Sequence, residues 1–346
     1  MNIDAIAFQS GNRRVSNEDI TDRIMTLSRG HLPDNQLQLL AGKIMERFER
    51  SGLKERRHVD DSQKQGDMAI EACHQAMDRA GVTAGDIDLL IHCGVGRGFT
   101  EPGQSHFLAA DLGIRSIHCF DLMDACNSWI QALYLSHHLL QGVHERILVV
   151  NTEVPSNTPL ADRSFTYSDV SQLTHRFPAA TMGDAVSATL LSRSEKKWDF
   201  EFIHRKDAAP LCAIPNETAP LFTAHRGPEV EDTGAFASYG RKLYQLANDI
   251  VPEVLGNLTD DRQAFRWIFP HSHTALGWHH WGKELGDVTP EQLKWNVYPD
   301  MGNLTSASMP VAMARAIEAG ELQRGDSIAL WMAAAGVTCS AVSTVF

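Results

Sequence analysis

The chain has 346 residues, of which 43% are hydrophobic, and a formal net charge of −12 at neutral pH. This size and composition allow a large buried core, and the negative charge argues against non-specific binding of nucleic acid. The chain starts without a basic and apolar leader, and no apolar run approaches the ~18 residues that a membrane span needs. We therefore expect a cytoplasmic globular enzyme that has neither a membrane nor a nucleic acid as its partner.

The first part of the chain, taken in order, is predicted to alternate strands with helices. Residues 9–66 are polar, irregular and partly helical. Around them the apolar patterns predict strands at 3–8, 86–93, 146–151 and 185–191, and helices at 67–81, at 102–112 and directly after Cys126. Such alternation is typical of a mostly parallel sheet with helices packed against it.

The second part repeats this organisation. A long connection at residues 208–234, rich in Pro, Thr and Ala, is expected to shape a pocket rather than a core. The other patterns predict strands at 198–204, 266–271, 327–332 and 339–346, and helices at 239–255, 274–285 and 311–319.

The six cysteines are scattered and form no Cys-x-x-Cys pair, which predicts free thiols. Cys126 stands out among them because an apolar run ends at it and a helical pattern begins at once. The positive end of the helix dipole and unpaired amides would favour the thiolate and bring the pKa below the free value of about 8.5. This is the position of a nucleophile. The alternative is that Cys126 is a small buried hydrophobic residue.

Two other segments have open interpretations. Residues 50–58, Arg-Ser-Gly-Leu-Lys-Glu-Arg-Arg-His, form a basic patch in an acidic protein, which is either a solvated loop or a landing site for phosphate or an acidic carrier. The glycine-rich turn at residues 94–98 satisfies neither the GxGxxG nor the Walker pattern, so the sequence gives little support to a nucleotide site.

Three ordered motifs resemble the active-site motifs of the β-ketoacyl-acyl-carrier-protein synthase III family, which belongs to the thiolase superfamily. They are Phe-Asp-Leu-Met-Asp-Ala-Cys at 120–126, Phe-Pro-His-Ser-His-Thr at 269–274 and Gly-Asn-Leu-Thr-Ser-Ala-Ser-Met-Pro at 302–310. The resemblance implies a thiolase-like α/β fold with two pseudo-duplicated halves, residues 1–190 and 191–346, in an α/β/α/β/α arrangement. It also implies a homodimer.

The resemblance assigns roles to particular residues. Cys126 would attack an acyl thioester, and His271 and Asn303 would donate hydrogen bonds to the enolate oxygen of a malonyl-type thioester as it loses carbon dioxide. The backbone amides of Cys126 and Ala335 would form the oxyanion hole. The substrates would be acyl-CoA or acyl-carrier-protein thioesters, with no permanently bound cofactor and no metal. His273, His279 and His280 add imidazoles near His271, but at no known ligand spacing.

The chain also departs from the family pattern. Ser272-His273-Thr274 replaces the usual Gln-Ala-Asn, and Ala334-Ala335-Gly336 replaces a run of glycines. These departures favour a specialised relative, from a secondary-metabolite pathway, over a housekeeping enzyme. Two alternatives stay open: acyl transfer to an oxygen, nitrogen or other nucleophile without decarboxylation, and a non-catalytic partner subunit of a heteromeric synthase.

Overall fold

The structure, a computed structural model, describes residues 1–216, 234–294 and 297–346. The strands in these ranges are β1 (Asn2–Ser10), β2 (Arg13–Ser16), β3 (Glu55–His58), β4 (Leu89–Cys93), β5 (His118–Leu122), β6 (Arg146–Glu153), β7 (Ala185–Ser192), β8 (Trp198–His204), β9 (Cys212–Ala213), β10 (Ala237–Ser238), β11 (Trp267–Pro270), β12 (Ser327–Ala334) and β13 (Thr338–Val345).

The α-helices of the described residues alternate with these strands. They are Asn17–Ser28, Asp34–Ser51, Gln65–Ala80, Gln104–Asp111, Ser128–Leu140, Pro159–Phe165, Leu173–Ala180, Gly240–Leu258, Ala275–Leu285, Tyr298–Met301 and Ser308–Glu318. The predicted helices and strands are therefore present, with ends shifted by a few residues. Residues 9–66 are more helical than predicted, because Ser16 and Asp19 form a capping box that starts the first helix.

Two larger sheets contain most of the strands. The first has five strands in the order β1-β7-β6-β4-β5, and the second has four in the order β11-β12-β13-β8. β4 pairs in parallel with β5 and β6, and β11 with β12, whereas the remaining pairs in both sheets are antiparallel. The prediction of a mostly parallel sheet is therefore wrong. In the second sheet one reason is the short turn between β12 and β13, since only antiparallel neighbours can be joined without a crossover.

The helices lie in three layers around these sheets. Ser128–Leu140 and Ser308–Glu318 are packed between the sheets in one apolar cluster with residues of β4, β6, β12 and β13. Gln65–Ala80 covers the outer face of the first sheet, and Gly240–Leu258 covers the outer face of the second. This is the predicted α/β/α/β/α arrangement. It explains why β4 is buried along its whole length, since helices cover both of its faces.

Two further observations concern the cysteines and the helices. All six cysteines are free thiols, as predicted. Among the described helices, none combines the length and the apolar character that crossing a bilayer requires. The predicted connection at 208–234 lies largely outside the described residues, which include only its two ends, at 208–216 and at 234.

Candidate active site

Cys126 lies in the turn that joins β5 to the helix Ser128–Leu140, as the sequence predicts. Its neighbour Ala125 has a φ of 49°, a left-handed conformation that costs free energy for a residue other than glycine. Hydrogen bonds inside the turn hold this conformation: Ser128 Oγ accepts from the Asp124 amide at 2.8 Å and donates to the Ala125 carbonyl at 2.7 Å. The strained turn thus presents Cys126 at the start of the helix.

The acidity of the Cys126 thiol differs from the prediction. Part of the Cys126 surface stays accessible, yet burial in the surrounding protein raises the pKa of the thiol. The neighbouring Cys212 thiol and Glu153 carboxylate raise this pKa further. The predicted lowering by the helix dipole is therefore wrong, because desolvation of the thiolate outweighs it. At neutral pH Cys126 is a protonated thiol that needs a base before it can attack.

His271 directly follows β11 and is 3% exposed. Its backbone is fixed on both sides: the amide donates to the Trp331 carbonyl at 3.0 Å, and its carbonyl accepts from Trp278 Nε1 at 2.9 Å. Burial, with a smaller effect of His273, lowers the pKa of His271 to about 3. The imidazole is therefore neutral at physiological pH, and its Nδ1 makes no hydrogen bond to the described residues. A neutral imidazole can accept a proton or donate a hydrogen bond.

Asn303 occupies a turn between the helices Tyr298–Met301 and Ser308–Glu318. Its backbone pairs with the segment before β7, since its amide donates to the Thr181 carbonyl at 2.8 Å and its carbonyl accepts from the Gly183 amide at 3.0 Å. The side-chain oxygen Oδ1 accepts from the Thr305 amide at 2.9 Å. Asn303 is partly accessible although the residues around it are buried. With the oxygen engaged, the NH2 group is the part of the carboxamide that is left to meet a substrate.

Two hydrogen bonds of neighbouring residues tie the predicted site segments to other parts of the chain. Ser272 Oγ donates to the Gly302 carbonyl at 2.9 Å, which joins the segment of His271 to that of Asn303. Ser340 Oγ of β13 donates to Asn127 Oδ1 at 2.6 Å, which joins the Cys126 turn to the second sheet. The structure therefore brings the segments of both halves together. The catalytic roles of Cys126, His271 and Asn303 stay predictions.

Ala335, the second predicted amide of the oxyanion hole, lies in the turn between β12 and β13. The ladder of these strands ends at the pair Ala334 and Thr338, so Ala335 lies beyond it, and Gly336 adopts a φ of 119°. The turn leads directly into β13, the strand whose Ser340 contacts the Cys126 turn. Its role as a donor also stays a prediction.

Sequence reasoning missed Glu153, at the end of β6. The side chain is 2% exposed, and its carboxylate accepts from the Val95 amide at 3.0 Å, from the Gly96 amide at 3.3 Å and from Ser306 Oγ. Burial raises the pKa of Glu153, which these hydrogen bonds oppose. The sequence does contain a signal for this residue, because Glu153 ends the apolar run Ile-Leu-Val-Val-Asn-Thr-Glu at 147–153. Charged side chains are rarely fully buried unless they are paired, so an ionisable residue at the end of a buried strand indicates a specific contact.

The basic segment at residues 50–58 is partly structural. Residues 55–58 form β3, so the solvated-loop alternative is wrong for them. Arg56 is fully buried, with Nη1 donating to the Ser16 carbonyl at 2.7 Å, and His58 is 3% exposed. These two side chains are therefore not available to a carrier. The landing-site hypothesis rests on the exposed Arg50 and Lys54.

The other histidines of this region are potential metal ligands. His279 and His280 lie on the exposed side of the helix Ala275–Leu285, where His280 Nε2 is 3.0 Å from Glu284 Oε1. Within the described part of the chain there is no group of three or more His, Cys, Asp or Glu side chains that would hold a metal ion.

Comparison with known proteins identifies similar chains. A family model described as the C-terminal part of 3-oxoacyl-[acyl-carrier-protein (ACP)] synthase III matches residues 261–345. A relative in Halalkalibacterium halodurans, β-ketoacyl-[acyl-carrier-protein] synthase III 2, is 26% identical over 289 residues, which cover 82% of each chain. The matched family segment includes His271, Asn303 and Ala335.

Solved structures are similar over nearly the whole chain. The crystal structure of 3-oxoacyl-[acyl-carrier-protein] synthase III from Aquifex aeolicus has a TM-score of 0.78, 21% identity and 99% coverage of both chains. A variant of OleA from Xanthomonas campestris, solved with bound lauric acid and lauroyl-CoA, has a TM-score of 0.80, 19% identity and coverage of 99% of this chain and 98% of its own. These likenesses confirm the predicted thiolase-like fold.

Proposed function

We propose that this chain, an acyltransferase, is a divergent member of the β-ketoacyl-acyl-carrier-protein synthase III family, in the thiolase superfamily, and that it performs a decarboxylative Claisen condensation. An acyl group is loaded from a thioester onto Cys126 and then joined to a malonyl-type thioester. The departures at residues 272–274 and 334–336 favour a specialised, secondary-metabolite pathway. Family members require no permanently bound cofactor, and none enters these steps.

The loading step needs the Cys126 thiol to lose its proton. The neutral imidazole of His271 is our candidate for the base, and because burial makes it a weak base, the proton moves to it only as the sulfur attacks the acyl carbonyl. The sulfur attacks the acyl carbonyl, the bond to the donor's sulfur breaks, and the donor leaves as a thiolate that takes up the proton from His271. The amides of Cys126 and Ala335 stabilise the oxyanion of the tetrahedral intermediate. The lauroyl-CoA bound to OleA supports a fatty acyl-CoA as the class of donor.

The condensation step depends on Asn303. As the malonyl-type thioester loses carbon dioxide, negative charge develops on its thioester oxygen, where His271 and the Asn303 NH2 group donate hydrogen bonds. The resulting carbanion attacks the carbonyl carbon of the Cys126 thioester, the bond from that carbon to the Cys126 sulfur breaks, and the released Cys126 thiolate takes up a proton from solvent. The observation that carries this proposal is the hydrogen bond from the Thr305 amide to Asn303 Oδ1, because it commits the oxygen and leaves the NH2 group as donor.

Two measurements on the wild type and on Asn303→Ala test the proposal. Incubation with acyl-CoA donors of different chain length should give an acyl adduct on the Cys126 peptide in both proteins, detected by mass spectrometry. Carbon dioxide release from malonyl-thioester should fall by about 10²- to 10³-fold in Asn303→Ala, as expected for the loss of one preorganised donor. If product formation survives in that variant, the reaction is acyl transfer without decarboxylation. If no donor acylates Cys126, the non-catalytic alternative takes precedence.

We also propose a homodimer that pairs through the first sheet. β5 is one of the two edge strands of that sheet, the other being β1, and an edge strand is a ready template for a second copy. Large apolar side chains lie exposed beside it, with Phe99 47% and Met123 62% exposed. Sedimentation at micromolar concentration should give a dimer, and Met123→Asp should shift it towards monomer. A monomeric wild type contradicts this proposal.

The division into halves and the cellular location extend the same proposal. We place the boundary near residue 190, since β7 ends at Ser192 and the second sheet starts with β8. We place the protein in the cytoplasm, a reducing compartment with which six free thiols are compatible. Limited proteolysis, with sequencing of the fragments, tests the boundary.

A further inference from the structure

Glu153 sits where three segments of the chain meet. Its carboxylate, at the end of β6, binds the amides of Val95 and Gly96 in the turn after β4, and it binds Ser306 in the turn after Asn303. Burial of a carboxylate is costly unless hydrogen bonds compensate it. A buried carboxylate that joins the turn after β4 to the turn that carries Asn303 invites a functional explanation rather than one from packing alone.

The direction of each hydrogen bond at Ser306 is set by chemistry. Asn151 Nδ2 lies 2.9 Å from Ser306 Oγ and can only donate, so the hydroxyl accepts there. The hydroxyl proton is then directed to Glu153 Oε1. The hydroxyl therefore accepts one hydrogen bond and donates another, and Asn151 and Glu153, both on β6, fix the orientation of the Ser306 side chain.

Ser306 in turn controls the backbone that holds Asn303. The intervening Thr305 has a φ of 48°, which costs free energy for a β-branched residue and must be held by its surroundings. In this conformation the Thr305 amide donates to Asn303 Oδ1 at 2.9 Å. Loss of the bond between Glu153 and Ser306 would allow Thr305 to relax and would release the carboxamide.

We propose that Glu153 is a positioning residue for Asn303: through Ser306 and the left-handed backbone of Thr305, it directs the Asn303 NH2 group to the developing enolate oxygen. This rests on the proposed function, because it assigns Asn303 its role in decarboxylation. Glu153 does not touch the substrate in this scheme. It acts on the geometry of a donor whose displacement by about 1 Å can cost 10²-fold in rate.

The glycine-rich turn at residues 94–98 supports the proposal independently. A Cβ atom on Gly94 would lie 2.9 Å from Glu153 Oε1, and one on Gly96 would lie 2.8 Å from the Thr152 carbonyl. The turn therefore needs glycine so that its amides can approach the carboxylate. This explains a glycine cluster that matches no nucleotide-binding motif, because its amides bind a side chain of the protein itself.

The test uses Glu153→Gln and Ser306→Ala in the full-length protein, with Glu318→Gln as the matched control at an exposed ion pair with Arg79. We expect carbon dioxide release from malonyl-CoA to fall by about 10- to 100-fold in both test variants and to stay unchanged in the control. Acyl loading of Cys126 should continue in all of them. If Glu153→Gln does not fold, Ser306→Ala carries the same test.

A double-mutant cycle separates positioning from an independent effect. In the Asn303→Ala background, Glu153→Gln should cause no further loss of carbon dioxide release, because the group that it positions is gone. Losses that multiply, or a parallel loss of acyl loading, would overturn the proposal.

A crystal structure of Glu153→Gln gives a readout that does not depend on activity. We expect the Thr305 amide to move out of hydrogen-bond distance from Asn303 Oδ1. An unchanged bond overturns the positioning role. If the bond breaks while the wild type releases no carbon dioxide, the proposed function fails and the positioning role stands.

Discussion

The turns that carry Cys126 and Asn303 contain the same unusual feature but are held in different ways. Each has one non-glycine residue with a positive φ, Ala125 at 49° and Thr305 at 48°, and no other such residue occurs in the described ranges. The Cys126 turn is held mainly by Ser128, two residues after the cysteine. The Asn303 turn is held from β6, by Glu153 and Asn151.

This difference shows how local sequence and the assembled fold divide the construction of one site. A turn held by its own residues can form with its helix, and its signal is contained in one short stretch of sequence. The Asn303 turn is held by residues that are distant in sequence, since Glu153 and Ser306 are 153 residues apart. It can therefore take its final conformation only after the two parts of the chain have come together. We expect the two turns to respond differently to substitution.

The largest effect is expected at Gly302, beside Asn303. In Gly302→Ala the added Cβ would lie 2.6 Å from the Thr181 carbonyl oxygen, and the residue would have to keep a φ of 83°. Left-handed backbone and overpacking together should lower the free energy of unfolding by about 2–5 kcal/mol, measured by urea denaturation. Gly42→Ala is the control, because an added Cβ there meets nothing within 4 Å and should not destabilise the helix Asp34–Ser51. A cost below ~1 kcal/mol at Gly302 would show that the Asn303 turn is not tightly enclosed.

Much of the fold and the Cys126 turn were predictable because their signals are local. The apolar run that ends at Cys126 and the helix that follows it occupy one continuous stretch, and the structure has both. The position of His271 after a strand was predictable for the same reason. Asn303 was identified only by resemblance, since a Gly-Asn pair by itself indicates no more than a turn.

The errors concern quantities that depend on the assembled protein. The pKa of Cys126 was predicted to fall, but burial and the Glu153 carboxylate, from another strand, raise it. The strands of both sheets were found, yet their directions were not, because hydrophobic patterns do not distinguish parallel from antiparallel neighbours. Glu153 itself was missed because nothing adjacent to it in sequence reports its contact with Ser306.

A smaller effect is expected from pH, because the Asn303 turn rests partly on a buried histidine. Met182 pairs with Asn303, and the Met182 carbonyl lies 3.2 Å from His58 Nε2. Burial lowers the pKa of His58 to about 3, from an ordinary value of 6.5. Between these two pH values the unfolded chain binds a proton that the folded protein does not, so stability falls as the pH falls below 6.5.

The measurement is the free energy of unfolding between about pH 4 and pH 6 for the wild type and His58→Gln. The wild type should lose about 1.4 kcal/mol more per pH unit than the variant, which corresponds to one proton. His271 and His273 have pKa values lowered to about 3 and about 4, and they add the same kind of slope to both proteins. The exposed His31→Gln is the control and should keep the wild-type slope. Parallel curves for the wild type and His58→Gln would refute this assignment.

The smallest effect should come from Ala125→Gly, which tests whether the Cys126 turn is strained although it is held locally. Glycine adopts a positive φ without the penalty that Ala125 incurs at 49°, but it also gives the unfolded chain more freedom. The net result should be an increase of up to ~1 kcal/mol in the free energy of unfolding, measured by urea denaturation. Ala132→Gly, in the following helix, should have the opposite sign because a helical glycine loses more entropy on folding. If both variants are destabilised alike, the turn stores no strain, and the conformation at Ala125 is simply the one that its hydrogen bonds with Ser128 favour.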